Sequence, residues 1–423
     1  MSPANDPSLK SWVEVPENSD FPIQNLPFGV FKTDYLHAVA GVAIGEYVID
    51  LVYLNEHGYL DDLGLPLGIF NQDYLNDFIA LGKKTTNAVR EKLSLLLRHD
   101  NGQLRDNRHD RELALVHVED AEMLIPVKIG DYTDFYSSEQ HATNVGTMFR
   151  DPANALLPNW KHLPVAYHGR ASSIIPTNVP IHRPKGQTKG PNDPAPVFGQ
   201  SNRLDFELEM AFITGKGTSL GQSISTAEAE DHIFGFVLFN DWSARDIQAW
   251  EYVPLGPFLA KNFASSISPW IVTLEAMEPF RTAGPEQDPK VLPYLEYEGL
   301  KHFDLNLEVG IRPDKSEETI VCQSNFKHLY WNVSQQLAHH TVSGCNINIG
   351  DLIASGTISG ASPESYGSML ELAWKGTKPI KLADGSERTF INDGDTVTMR
   401  GYGMNEGVRI GFGEVSTKVM PTL

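Results

Sequence analysis

The sequence predicts a mainly β protein with some α-helix, built as a smaller N-terminal unit over residues 1–125 and a larger unit over residues 126–423. Three observations predict it. Leu204, Phe206, Leu208, Met210 and Phe212 alternate with Asp205, Glu207, Glu209 and Ala211, the two-residue period of a half-buried strand. The run Ile233-Phe-Gly-Phe-Val-Leu-Phe239 is short and continuously apolar, as in a buried strand. The 3.6-residue period of a helix is confined to a few short stretches, and Gly and Pro punctuate the rest.

Taken in order, residues 29–33 and 39–52 read as strands, and a helical stripe of Val89, Leu93, Leu96 and Leu97 follows, with Thr86 as its candidate N-cap. A small barrel with a docked helix accounts for both. Residues 99–112 are dense in charge and poor in apolar side chains, which predicts a surface connection, and the second unit starts near Ile125. That unit opens with Gly130-Asp-Tyr-Thr-Asp134-Phe-Tyr136-Ser-Ser-Glu-Gln-His141. Ser137 and Gln140 have capping-box spacing and Val145 and Phe149 continue an apolar stripe, so His141 falls in the first turn of a helix. A surface or capping histidine is the competing reading.

Residues 158–199 are rich in Pro and Gly and read as long loops around Val165-Ala-Tyr167-His-Gly-Arg170, a length that in a compact domain often marks function. Gly217-Thr-Ser219-Leu-Gly221 matches a nucleophile elbow by pattern only. It lies in a polar linker, and the next helix starts near Ser225 with its own capping box to Glu228. Residues 280–297 form a Pro-rich loop, 303–311 and 319–323 alternate like a hairpin, and 334–340 read as a short helix capped by Gly344. His339 and His340 are adjacent on that helix and cannot face one metal. The last quarter reads as strand and turn, with strands at 368–374, 395–400 and 408–415. Glu371 interrupts Met369-Leu370 and Leu372-Ala-Trp374, so it is either the outward position of a strand or a buried partner of a base.

A content of 41% hydrophobic and 10% aromatic residues over 423 residues supports real cores. The balance of 34 basic against 54 acidic residues, net −20, argues against nucleic acid or an anionic membrane as partner. An anionic substrate must then be attracted by locally clustered cations. Cys322 and Cys345 have no metal-ligand spacing, which indicates neither zinc nor a disulfide framework and fits a reducing compartment. The first 13 residues lack an apolar signal region and no apolar run of about 18 residues occurs, so a soluble, cytoplasmic protein is expected. Asn332-Val-Ser334 matches the glycosylation pattern by accident, and no GxGxxG or P-loop suggests a nucleotide.

Chemistry concentrates between residues 203 and 261. Carboxylates without neighbouring Cys or His suit a hard cation such as magnesium, calcium or manganese. The Asp205-Phe-Glu207-Leu-Glu209 face alone also fits the solvated side of a sheet. Asp241, after the apolar run and before Trp242, stands where desolvation is costly without a cation. Arg245 and Gln248 share a face if residues 242–250 are helical, and with Lys261 they can converge on one anion.

Together these residues resemble the fumarylacetoacetase family, eukaryotic type. The resemblance rests on Ser19-Asp-Phe-Pro-Ile-Gln-Asn-Leu-Pro-Phe-Gly-Val, Asp131-Tyr-Thr-Asp-Phe-Tyr-Ser-Ser, His141-Ala-Thr-Asn-Val-Gly, Asp205-Phe-Glu-Leu-Glu, Asn240-Asp-Trp-Ser-Ala-Arg-Asp-Ile-Gln and Gly356-Thr-Ile-Ser-Gly. It implies an N-terminal SH3-like barrel, a C-terminal mixed β-sandwich roll, a homodimer, and hydrolysis of the diketo acid 4-fumarylacetoacetate to fumarate and acetoacetate at the end of tyrosine and phenylalanine breakdown. By position, Asp134, Glu207, Glu209 and Asp241 would hold calcium or magnesium, with Lys261 and Ser265 beside the ion site. His141 would be the base oriented by Glu371. Arg245, Gln248 and Lys261 would face developing negative charge, and Tyr136, Arg150, Tyr167, Arg245, Gln248, Tyr252 and Thr357 would bind substrate. Ser265 stands where the family pattern has threonine, a departure that touches a peripheral ion contact. An acylpyruvate hydrolase or a 2-oxo acid decarboxylase of the wider superfamily is the nearest alternative, and a non-enzymatic module with structural calcium the more distant one.

Overall fold

The computed structural model describes residues 2–423. Three sheets carry the fold. The first is antiparallel, with neighbours in the order Leu115–His117, Tyr47–Asp50, Val39–Ile44, Phe28–Lys32, Glu122–Met123, and the helix Lys83–Leu97 buries Val89, Leu93, Leu96 and Leu97 beside it. The second is mixed and runs Ala166–His168, Tyr132–Phe135, Leu352–Ala354, Leu208–Thr214, Ile233–Asp241, Ser265–Ile267, Ile174–Pro176. The third contains Thr319–Asn325, Asn306–Arg312, Thr396–Asn405, Val408–Met420 and Ile181–His182, so the hairpin read from the sequence is present.

The central sheet is buried on both faces, and strand alternation sorts its side chains. Leu208, Met210, Phe212, Phe236 and Leu238 pack with Leu307, Val309, Val397, Met399 and Phe412 of the third sheet. Ala211, Ile213, Val237, Phe239 and Ile267 belong to the cluster that also holds Phe28, Val30, Val42, Phe78 and Leu93 of the N-terminal unit. Truncating one of these fully buried aromatic side chains would cost about 3–5 kcal/mol.

Local readings fail where tertiary partners override them. The alternating stretch at 204–212 is two strands, Leu204–Asp205 and Leu208–Thr214. It is not half-buried: Asp205, Glu207 and Glu209 are all inside. Thr86 caps nothing, because its helix begins at Lys83 and the Thr86 hydroxyl bonds the Lys83 carbonyl. Residues 99–112 are ordered as the helices Gly102–Arg105 and Arg108–Ala114, capped by Asn101 and Asn107. Ser225 and Glu228 make both bonds of their box, yet the chain continues as a 3-10 turn, Ala229–His232, because the central strand starts at Ile233. The helix near 334 is Val333–Thr341, with Asn332 and Gln335 closing a capping box; Asn332 is buried and closed to a glycan.

His302 gives a stability prediction. It is buried, bonds the Leu329 carbonyl through Nε2 at 2.9 Å, and has no partner on Nδ1 among the described residues. Burial pushes its pKa down from 6.5 to about 4. Above pH 6.5 both folded and unfolded chains hold it neutral, and between 6.5 and 4 only the unfolded chain binds the proton. Stability therefore drops as the pH is lowered through that window, by about 3 kcal/mol from this group. Denaturant titrations should show the wild type losing about 3 kcal/mol more than His302→Gln between those limits; parallel losses would refute it.

Candidate active site

Four carboxylates meet at one end of the central sheet. Asp134 lies on the strand Tyr132–Phe135, opposite Ala354 and Tyr167 on the two flanking strands. Glu209 is the second residue of Leu208–Thr214, and Asp241 ends Ile233–Asp241 opposite Ser265. Glu207 sits in the break between the two strand pieces, bridged to Ser368. One ligand atom from each of the four lies within 4.8 Å of the others, and all four residues are buried.

Two cations enter this cluster. Lys261 Nζ bonds Glu207 Oε2, and it donates to Asp241 Oδ2 at 2.6 Å. Arg245 Nη2 lies 2.7 Å from Glu207 Oε1 as an ion pair, and its Nε donates to Asp205 Oδ2 at 2.7 Å. Asp205 also accepts the N–H groups of Met369 and Leu370, at 2.7 and 3.0 Å. Tyr167 and Ser265 hydroxyls donate to Asp241, at 2.7 and 3.0 Å.

The electrostatics divide the carboxylates. Burial would raise Glu207, but Lys261 and Arg245 outweigh it and hold that group well below the usual range. Burial and the neighbouring Asp241 push Asp134 well up, and burial with Asp134 does the same to Glu209. Asp134 Oδ1 and Glu209 Oε1 are buried without a hydrogen-bond partner among the described residues. Orphaned carboxylate oxygens converging with no nitrogen or sulfur donor fit a hard divalent cation of the calcium or magnesium type.

The second half of the site is a histidine on a carboxylate. The helix Glu139–Phe149 is capped by Ser138 Oγ, which accepts from His141 N, rather than by Ser137. His141 is in the first turn and buried. Its Nδ1 lies 2.7 Å from Glu371 Oε2. Glu371 is not on a strand; it sits in the four-residue helix Met369–Leu372 and is 1% exposed, so the buried-partner alternative is the one realised. Ser359 and Ser368 hydroxyls donate to the same Oε2, at 3.0 and 2.8 Å, while Asn144 Nδ2 donates to Oε1 at 2.8 Å. Burial opposes its charge, but His141 and these donors bring Glu371 below the ordinary carboxylate range.

The remaining predicted residues divide into near and peripheral. The Tyr136 ring meets His141 edge-on at 5.2 Å, and its phenol is raised by burial, then by the charges of Glu371 and Glu207. Gln248 accepts from Arg245 Nη1 at 3.2 Å on the helix Arg245–Glu251. Thr357 is buried beside Gly356, whose N–H donates to Glu209 Oε2 at 3.1 Å. Gly356 has φ +77°, and a Cβ there would lie 2.1 Å from the Phe135 carbonyl, so only glycine brings that N–H so close. Arg150 is exposed, with its guanidinium on the Ala155 carbonyl, and Tyr252 is 52% exposed at the end of the Arg245 helix. Neither makes a hydrogen bond to the cluster among the described residues.

Sequence reasoning assigned no role to Asp205, Asn144, Ser359, Ser368 or Tyr132. The Tyr132 hydroxyl is buried, unpartnered among the described residues, and raised by burial and by Asp134 and Asp241. Asp205 carried a local signal, two positions before Glu207 in the alternating run, and so did Asn144, three positions after His141 on one helical face.

Two family models match the chain one after the other. The family model "Fumarylacetoacetase N-terminal" matches residues 24–126, and "Fumarylacetoacetate (FAA) hydrolase C-terminal" matches residues 131–420. The chain is 52% identical over 415 residues to fumarylacetoacetase of Rattus norvegicus, covering 98% of this chain and 99% of the relative. It is also 52% identical over 419 residues to that of Dictyostelium discoideum, covering 98% of each. Among solved structures, a fumarylacetoacetate hydrolase from Exiguobacterium antarcticum shares the fold at TM-score 0.52 and 20% identity, over 94% of this chain and 99% of that one. With both family models in chain order and half of all positions shared with full-length relatives, this chain belongs to the fumarylacetoacetase family.

Proposed function

We propose that this chain hydrolyses 4-fumarylacetoacetate to fumarate and acetoacetate, the closing step of tyrosine and phenylalanine breakdown. The observation that carries the reading is a buried His141–Glu371 pair beside a four-carboxylate cluster, in a chain that matches full-length fumarylacetoacetases. A divalent cation held by Asp134, Glu207, Glu209 and Asp241, calcium or magnesium, would supply chelation of the two diketone oxygens and charge to offset an enolate. Lys261 and Ser265 line the same cluster through Asp241.

The chain's own groups do the proton chemistry. Nδ1 of His141 is spent on Glu371, which leaves Nε2 to take a proton from water. The water oxygen bonds to the carbonyl carbon beside the fumaryl alkene. The bond to the adjacent methylene then breaks, its electron pair moves into the remaining ketone as an enolate, and His141 returns the proton to the methylene carbon. Arg245, Gln248 and Lys261 place donors where the negative charge develops. Tyr136, Arg150, Tyr167, Tyr252 and Thr357 complete the substrate site. We further place the protein in the cytoplasm as a homodimer; no helix among the described residues is long and apolar enough to cross a membrane.

The test follows the loss of fumarylacetoacetate absorbance with purified protein, with and without chelator, beside oxaloacetate as substrate. Turnover of the first that chelator stops supports hydrolysis. Carbon dioxide release from the second alone would support the decarboxylase of the same superfamily, which needs no water-activating pair.

A further inference from the structure

We propose that Asn144 is a positioning residue for this reaction, the second prong of a two-pronged clamp that fixes the plane of Glu371 and so the orientation of His141. Three donors, His141 Nδ1, Ser359 Oγ and Ser368 Oγ, crowd Oε2 of Glu371, and Asn144 Nδ2 at 2.8 Å is the donor on Oε1. Donors on one oxygen leave the other edge of a carboxylate unheld, and a donor on each oxygen fixes the group at two points. His141 and Asn144 stand three residues apart on the helix Glu139–Phe149, so both prongs come from one rigid face. The amide end is set as well: Gln140 Nε2 donates to Asn144 Oδ1 at 3.0 Å, which leaves the Asn144 NH2 for Glu371.

The same shell fixes the proton. Ser359, Ser368 and Asn144 all donate to a Glu371 carboxylate held below the usual range, so that group is ionised and acceptor-only and the imidazole carries its hydrogen on Nδ1. Ser368 and Ser359 have duties besides this one. Ser368 Oγ accepts the Glu371 N–H as an N-cap, and Ser359 Oγ accepts the Gly367 N–H. The Gln140 and Glu371 hydrogen bonds of Asn144 form one chain, which makes it the informative position.

The inference rests on the hydrolysis reading above, and the experiment separates the two. Asn144→Ala should lower kcat by about ten- to a hundredfold, the scale of lost orienting bonds, with KM and ion binding unchanged. Asn144→Asp keeps the shape and replaces the donor with a second carboxylate, so it should be at least as impaired. In a Glu371→Ala background Asn144→Ala should cost nothing further. Near-normal turnover in Asn144→Asp, a further loss in the Glu371→Ala background, or a change in KM alone would overturn the proposal. A wild type inactive on fumarylacetoacetate would instead overturn the substrate reading. The clamp is then read without turnover from the His141 imidazole N–H resonance, identified by its loss in His141→Ala. That resonance should move upfield or broaden in Asn144→Ala, and an unchanged signal would overturn the clamp.

Discussion

Glu209→Gln should lower turnover by about a thousandfold or more, because it removes a charge from a site whose cation supplies several kcal/mol of the reaction's stabilisation. Asp241→Asn should do the same. The more telling readout is thermal stability. In ion-free buffer Glu209→Gln should unfold at an equal or higher temperature than wild type, since burial and Asp134 already make the wild-type carboxylate costly there. With calcium or magnesium at a hundredfold excess over its dissociation constant, the wild type should gain about 2.7 kcal/mol, and the variant much less. Equal ion-induced shifts in the two proteins, or full activity of metal-free wild type, would remove the cluster from the mechanism.

His141→Ala should lower the rate by about a hundred- to ten-thousandfold while leaving the ion-induced stabilisation intact, because its Nδ1 bonds Glu371 and none of the four clustered carboxylates. Glu371→Gln should act in the same direction. Since the two share one buried contact, the double variant should cost little more than the worse single one. Additive losses would separate them into independent contributors, and loss of the ion response in His141→Ala would place the histidine among the ligands.

How legible was this in the chain? The apolar run at 233–239 fixes its strand, and with it the end at which Asp241 stands. The same local logic misleads at 204–212, where alternation suggests a solvated acidic face. Asp205, Glu207 and Glu209 are inside because Arg245, Lys261 and the N–H groups of Met369, Leu370 and Gly356 meet them there. Those partners lie up to 165 residues away, and no local period encodes them. Glu371 shows the same limit: four helical residues are too few to carry a period, so burial opposite His141 is settled by tertiary contact alone.

The face of the central sheet turned toward the N-terminal unit bears on how the chain comes apart. Ala211, Ile213, Val237, Phe239 and Ile267 find their apolar neighbours among residues such as Phe28, Val30, Val42 and Phe78. A recombinant fragment starting at residue 131 would expose that surface to water, and sheet-sized apolar patches of this kind promote self-association. Excision should therefore yield aggregates rather than a smaller working enzyme. The intact chain should melt in one cooperative step, with loss of the N-terminal strands and loss of catalysis tracking each other across the transition.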